Sequence, residues 1–320
     1  MNLSKLAQLA NVSVSTVSKA FSDSNEISEQ TKEMIFNVAK EYGCFDKYYK
    51  PKYPKKVIAV ICPEMLGIHY SQMATLLNRE ISSRNGTMLL SVFSFSHQKE
   101  QELIEYYTRF SNVDGIIIIE PTGTIKNAGS IPIVQIGVEN ESKNVDCVKV
   151  DANEAINESL SYLKHKSMSR IGFIGEKFAH QEYEYFRDGL NRNLLSEYDE
   201  YIKISDRRFY DAGYYGVDSM LKDNNLPDVI YAAYSHIAVG IVQRLKEEKL
   251  SIPKDVSLIC MDDITSVPYS DIELSCIKMH LDEVCIIALD LLYQKIEGKN
   301  PVPKRCVTVT REFMIGESLK

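Results

Sequence analysis

A small all-α domain followed by a larger two-lobed α/β body is the fold class that this 320-residue sequence predicts. Three observations predict it. Helix signals separated by tight turns fill the first 45 residues. A stretch dense in Lys, Tyr and Pro then interrupts the pattern over 46–56. From Val57 onward, short apolar runs alternate with helical periods in two successive series.

The first helix follows from Leu3, Leu6, Ala7 and Ala10, which recur at helical spacing and give one apolar face. Asn11 suits the turn that follows, because Asn tolerates positive φ better than most residues. Ser13 is placed to cap a second helix through the amide of Thr16 or its neighbour. Val17, Ala20 and Phe21 form that helix's inward stripe, which leaves Val14, Ser15, Ser18 and Lys19 pointing elsewhere. Ser28 reads as the N-cap of a third helix with Ile35, Val38 and Ala39 on its apolar face. This is helix-turn-helix geometry, in which the second helix lies in a DNA major groove. Hydroxyls and a Lys on its outer face can reach bases or phosphates, and Val14 a thymine methyl. Ser28 and Thr31 at a helix start make a natural phosphate site. The bland alternative is a small helical bundle with a polar surface.

Charge separates the two parts. Up to Lys56 there are nine Lys and six acidic residues, a net +3, so the remainder carries −10 of the total of −7. A basic head on an acidic body is the asymmetry expected of a nucleic-acid-binding module. The apolar content of 44% is enough for a sizeable core. No run of 18 apolar residues is present and the first residues lack an apolar leader, so neither a membrane span nor an export signal is expected. The seven cysteines are scattered with no C-x-x-C pair, which reads as reduced, mostly packed thiols and not as a metal or redox site. No cofactor is expected.

In the body, Val57–Ile61, Met88–Phe93, Gly115–Ile119 and Ile131–Ile136 read as buried parallel strands, with helices near 70–85 and 97–111. A second series has strands at Arg170–Ile174, Tyr201–Ile204, Asp228–Ala232 and Val256–Met261. Its helices fall near 153–166, 181–196, 211–223 and 236–248. Two such series imply two lobes with a cleft between them.

These residues carry a resemblance. Val12-Ser13-x-x-Thr16-Val17-Ser18-Lys19 is similar to the recognition-helix signature of the LacI/GalR family of bacterial transcription regulators, with Lys19 where Arg is common. Ile27-Ser28-x-x-Thr31 resembles its third-helix entry. Val113-Asp114-Gly115, Ile131-Pro132-Ile133-Val134, Asp255 to Asp263 and Glu312 to Ser318 extend the resemblance over nearly the whole chain, with Gly316 where the family has Arg. It implies a helix-turn-helix DNA-binding headpiece at 1–45, a hinge at 46–56, and a periplasmic-binding-protein-like clamshell of two Rossmann-like lobes at 57–320. Lobe 1 would comprise about 57–150 plus 280–308 and lobe 2 about 151–278 plus 309–320, with crossovers near 151, 279 and 309. In the family the hinge folds on DNA into a helix that wedges a Leu into the minor groove. Here Pro51 and Pro54 oppose a helix and no Leu is present. Tyr48, Tyr49 or Tyr53 could substitute, with Lys50, Lys52, Lys55 and Lys56 on phosphates, or the stretch could be a flexible basic tether.

The resemblance also implies a small-molecule effector between the lobes. Asp262 matches an Asp that bonds polar effector groups, and a turn cap is its alternative role. Tyr70 matches an aromatic that faces the effector, with a core or dimer contact as the alternative. Tyr234 and Ser235 stand where the family carries Asn or Ser and then Asp. Arg187 is the candidate for the family's effector-binding Arg, with Glu182 or Tyr185 at that place if a gap is set differently.

The function implied is a cytoplasmic homodimeric regulator, a repressor in its simplest form. It would bind double-stranded operator DNA through Ser13, Val14, Ser15, Thr16, Ser18, Lys19, Ser28 and Thr31, modulated by a sugar or related metabolite at Tyr70, Arg187, Tyr234 and Asp262. Dimer contacts would come from the helices near 70–85 and 281–297. The alternatives are a plain solute-binding protein, or a regulator whose cleft no longer binds an effector. The chain lacks a Gly-rich phosphate loop, H-E-x-x-H, G-x-S-x-G and zinc spacings, so an enzyme is not expected.

Overall fold

The structure, a computed structural model, describes residues 1–22, 24, 26–49, 55–125, 131–137, 139, 141–142, 144–262, 272–298 and 303–320. Lys50, Pro51, Lys52, Tyr53, Pro54 and Asp263 lie outside the described residues. Two compact units are present, Met1–Lys56 and Val57–Lys320.

The first unit holds helices α1 (Leu3–Leu9), α2 (Val14–Phe21), α3 (Glu29–Glu41) and α4 (Phe45–Tyr48). Leu6, Ala7, Ala10, Val17, Ala20, Ile35 and Ala39 form its buried core. Asn11 closes the α1–α2 turn at φ 50°. Helices α2 and α3 begin with the same device. The Thr16 amide donates to Ser13 Oγ at 3.0 Å and the Thr31 amide to Ser28 Oγ at 3.2 Å. Each hydroxyl pair, Ser13 with Thr16 and Ser28 with Thr31, also bonds at 2.8 Å.

The 46–56 segment, read either as a hinge whose Tyr residues wedge into DNA or as a flexible tether, is packed at its start. Helix α4 brings Phe45 and Tyr49 into a stack, with centroids 4.5 Å apart, beside Phe36. Tyr48 lies 5.7 Å from Phe21 and donates to the Met1 carbonyl at 2.6 Å. Apolar ring area drives this. Ring-on-ring contact that half-covers Phe45 and Tyr48 and leaves Tyr49 exposed extends a core this small. Tyr48 and Tyr49 are therefore tied into the headpiece and are not loose wedges.

The second unit contains two six-stranded sheets. The first is built from β1 (Lys56–Cys62), β2 (Gly86–Val92), β3 (Gly115–Ile119), β4 (Ile133–Gly137), β5 (Asp146–Asp151) and β11 (Cys306–Thr310), in the order β11-β5-β4-β3-β1-β2. The second is built from β6 (Ile171–Glu176), β7 (Ile202–Ser205), β8 (Val229–Ala232), β9 (Ser257–Cys260), β10 (Ser275–Lys278) and β12 (Glu312–Met314), in the order β12-β10-β9-β8-β6-β7. The pairings from β11 through to β1 and from β10 through to β7 are parallel; β12 runs antiparallel to β10. Helices α5 (Ile68–Ser83), α6 (His97–Arg109) and α11 (Leu281–Glu297) accompany the first sheet. Helices α7 (Asn153–His165), α8 (His180–Arg192), α9 (Phe209–Lys222) and α10 (Ser235–Glu247) accompany the second.

Central strands such as β3, β4 and β8 are buried along their whole length, as expected where helices cover both faces of a parallel sheet. The sequence patterns missed β5, β10, β11 and β12. These strands are short or carry polar residues, and β11 lies at a sheet edge with alternating exposure. Helix α8 stops at Arg192, short of the expected 196, because Leu194 takes a left-handed φ of 55° and the Asn193 amide side chain bonds the Gly189 carbonyl.

The chain passes between the sheets after Asp151, between Lys278 and Leu281, and between Thr310 and Glu312. The second sheet's core is anchored by Tyr231, which is fully buried and bonds Ser159 Oγ at 2.7 Å. Ser159 in turn donates to the Ile156 carbonyl. Tyr231→Phe removes one buried hydrogen bond without a cavity, so denaturant unfolding should show a loss of about 1 kcal/mol. An unchanged midpoint would show that the bond contributes nothing.

Candidate functional site

In the headpiece, α2 buries Val17 and Ala20 and turns Val14, Ser15 and Ser18 to solvent, with Thr16 half-buried. Ser13, Thr16, Ser28 and Thr31 gather at two helix starts, where free amides attract phosphate. Lys19 was expected to stand clear. It is half-buried and pairs with Glu26, so the one basic group on α2 is partly neutralised.

In the second unit, a cavity lies between the sheets. Its walls come from the carboxyl ends of strands and the first turns of the helices that follow. Glu64 follows β1, Glu120 follows β3, Glu176 ends β6, Tyr234 follows β8 and Asp262 follows β9. His69 and Tyr70 open α5, Glu182 lies in the first turn of α8, Arg208 and Phe209 start α9, and His236 starts α10. Strand ends are where open α/β sheets collect ligands, since the side chains there have no neighbouring strand to pack on. Arg311, on the third crossover, also lines the cavity. Its amide donates to the Asp151 carbonyl at 2.9 Å, and its Nη1 to the Met261 carbonyl at 2.8 Å.

Arg208 dominates the electrostatics. Its Nη1 and Nη2 donate to the two oxygens of Glu64 at 2.7 and 2.9 Å, and its Nε donates to both oxygens of Glu176 at 3.1 and 2.9 Å. The guanidinium lies 4.4 Å from the Phe209 ring centroid and 4.8 Å from that of Phe178. Glu64 belongs to lobe 1 and Arg208 to lobe 2, so this fork bridges the cleft. Phe95 and Phe178 stack across the same gap at 4.4 Å. Hydrogen bonds to Glu64, opposed by burial and reinforced by Glu176, hold the Arg208 pKa above its ordinary value.

Around the fork, Tyr234 donates to Glu176 at 2.7 Å and accepts from the Phe209 amide. Tyr70 donates to Glu120 at 2.5 Å, and His69 Nε2 lies 3.3 Å from the other Glu120 oxygen. Burial opposes charge on both members of the His69–Glu120 pair. Their mutual attraction outweighs it, raising the His69 pKa and lowering that of Glu120. Burial raises the Glu182 pKa, because Arg311, 3.9 Å away, compensates only in part. Burial lowers that of His236.

Of the sequence candidates, Tyr70, Tyr234 and Asp262 line the cavity, as does Glu182. Arg187 does not. Five residues on from Glu182, it is turned about 140° around the helix axis. Its guanidinium pairs with Glu184 and lies over the Tyr183 ring. Tyr185 bonds the Val150 carbonyl instead. Sequence reasoning missed Glu64, Glu120, Glu176, Arg208, Phe95 and Phe178. Most follow a strand directly, and that position was the available signal. Among the described residues, no group of three or more His, Cys, Asp or Glu could hold a metal ion. Among them, too, no helix is long and apolar enough to cross a membrane.

Comparison with known proteins places this geometry among relatives. Residues 2–44 match the family model described as bacterial regulatory proteins, lacI family, and residues 160–319 match that of a periplasmic binding protein-like domain. Catabolite control protein A of Staphylococcus epidermidis is 23% identical, over 93% of this chain and 94% of its own. The crystal structure of the lac repressor dimer bound to operator and the anti-inducer ONPF superposes with a TM-score of 0.73. It is 16% identical and covers 100% of this chain and 99% of that one. The structure of the transcriptional regulator CelR–cellobiose complex gives 0.70 at 19% identity, covering 99% of each chain.

Proposed function

The chain belongs to the lacI family of bacterial regulatory proteins, and from that premise we propose that it is a homodimeric transcription regulator acting in the cytoplasm. Its two headpieces bind the half-sites of a pseudo-palindromic operator. A small molecule held between the lobes sets the affinity for that operator. The observation that carries the DNA-binding reading is α2, capped by Ser13, with Val17 and Ala20 buried and Val14, Ser15 and Ser18 outward. A two-fold dimer presents two such helices about one turn of duplex apart, roughly 10 base pairs. Ser13, Thr16, Ser28 and Thr31 position the phosphates, and Val14, Ser15, Ser18 and Lys19 reach the groove. Repression is the simplest output, since a dimer on an operator excludes other proteins from it.

The effector reading is supported by a cleft whose ring-bearing and charged side chains converge at strand ends. It is also supported by two related folds whose described complexes contain cellobiose and ONPF. Tyr70, Tyr234 and Asp262 are retained as effector contacts, joined by Glu120, Glu182 and Arg311. An effector acts only through its differential affinity for two arrangements of the lobes, which sets the spacing of the headpieces. Dimerisation by lobe 1 through α5 and α11 is part of the same proposal.

Selection of binding sites from a randomised duplex pool by the full chain tests the DNA reading. The expected result is an inverted-repeat consensus bound less tightly as salt rises. Enrichment of no sequence would sink it. On the selected duplex, Lys19→Ala should weaken binding about tenfold, the effect of one lost charged contact worth roughly 1–3 kcal/mol. Glu26→Gln should strengthen it several-fold by releasing Lys19 from its ion pair. Equal affinity in both variants would remove Lys19 from the interface.

A further inference from the structure

We propose that the ligand of this cleft is an amino sugar, a small polyol ring that carries a free ammonium group. The inference rests on the reading of the cleft as the effector site and narrows the chemistry of what enters it. Among the described residues, five carboxylates line the cavity, those of Glu64, Glu120, Glu176, Glu182 and Asp262. Among the same residues the permanent cations of the lining are two, Arg208 and Arg311, and no Lys takes part. Arg208 is shared between Glu64 and Glu176, so that trio keeps one negative charge. His69, when protonated, balances Glu120. Arg311 Nη2 stops 3.9 Å from Glu182, beyond hydrogen-bond reach, and burial still raises the Glu182 pKa; a ligand ammonium in the cleft would favour its ionised form. The cavity therefore holds negative charge in excess of its own cations. In a low-dielectric site, a phosphate or carboxylate would be repelled and an ammonium drawn in.

A second observation adds a hydroxyl to that charge. Arg311 is nine-tenths buried, and its Nε–H has no hydrogen-bond partner, although Nη1 is bonded. His236 Nδ1, also in the lining, is buried without a partner. Leaving such groups buried without partners is unfavourable, and ligand oxygens would satisfy them. Tyr70, Phe95, Phe178, Phe209 and Tyr234 bring aromatic rings to the lining. A pyranose packs its apolar C–H face on a ring, and an ammonium is attracted to the same faces. The cleft already holds one cation in such surroundings, the Arg208 guanidinium over Phe209 and Phe178. Glu120 of lobe 1 and Glu182 of lobe 2 face one region of the cleft that Arg311 and His69 share, so the ligand's ammonium is drawn by the summed charge of the cleft and not by that pair alone.

Calorimetric titration of the full chain at pH 7 tests this with matched triplets. These are D-glucosamine, D-glucose and N-acetyl-D-glucosamine; the galactose series; and chitosan disaccharide, cellobiose and N,N′-diacetylchitobiose. At least one free amine should bind tenfold or more tightly than its neutral parent and its N-acetyl form. Glu182→Gln should reduce that preference severalfold, whereas Arg187→Ala, on the outer face of α8, should leave it unchanged. Equal or tighter binding of a neutral parent or N-acetyl form overturns the charge inference and leaves the effector cleft intact. Binding of no amino sugar overturns it as well. If no sugar of any kind binds while the selected duplex is still bound, the cleft reading falls with it and the DNA-binding reading stands.

Discussion

Arg208→Ala should lower the stability of the α/β body by about 3 kcal/mol, the lower end of the cost of stripping one partner from a buried ion pair. The lower end applies because a quarter of the Arg208 side chain remains in contact with solvent. The substitution removes four charge-assisted hydrogen bonds and leaves two carboxylates facing each other across the cleft. Glu176 is 1% exposed and would keep only the Tyr234 hydroxyl among the hydrogen bonds it now makes to side chains. In a body of this size such a loss lowers the melting temperature by about 6–12 °C. The same bond joins Glu64 of one lobe to Arg208 of the other, so the lobes should part and the radius of gyration from small-angle scattering should rise. Arg208→Lys should recover only part of the loss, because a lone ammonium cannot bond both carboxylates in the fork geometry. Glu64→Gln and Glu176→Gln added to Arg208→Ala should recover more of it by removing the unpaired charge. A melting temperature within 1 °C of the parent would mean that the bridge contributes nothing net.

Gly240→Ala should destabilise the same body by roughly 2–3 kcal/mol, against the ordinary gain of about 1 kcal/mol when Gly becomes Ala inside a helix. A Cβ at 240 would come within 2.1 Å of the Tyr210 carbonyl oxygen, and one at Gly213 within 2.0 Å of the Ile237 carbonyl oxygen. The backbones of α9 and α10 thus touch at this crossing. A carbonyl in a helix cannot rotate away as a side chain can, so the two helices must separate. Arg208 and Phe209 sit at the start of α9, and Tyr234 and His236 at the start of α10. Separation would therefore also loosen the Tyr234 hydroxyl from the Phe209 amide, and ligand affinity should fall together with stability. Gly216→Ala is the matched comparison, since its Cβ would meet only side-chain atoms, the Ile174 Cγ2 methyl first at 2.8 Å, and no backbone. Its cost in denaturant unfolding should be smaller. Equal midpoints for the two variants would show that backbone contact is not the reason for Gly240.

The sequence by itself determined the elements and their layering. The apolar stripe of α2, the Ser13 and Ser28 caps, and runs such as Ile116–Ile119 are local patterns. Each reports the same face or the same buried strand wherever the chain carries it. Short or mixed-polarity strands such as β10 and β12 escaped because their burial comes from neighbours in the sheet and not from their own composition. The contents of the cleft were decided only by the tertiary structure. Glu64, Glu120, Glu176, Arg208 and Arg311 are spread over nearly 250 positions and meet because strand ends and a crossover point into one gap. Rotation about the α8 axis, which no motif records, turned Glu182 inward and Arg187 outward. A helix period tells which residues share a face, and packing against the sheet decides which face looks into the cleft. Charge pairing follows from that choice. Lys19 is held by Glu26 and Arg208 by Glu64 and Glu176 because folding brought each carboxylate within reach.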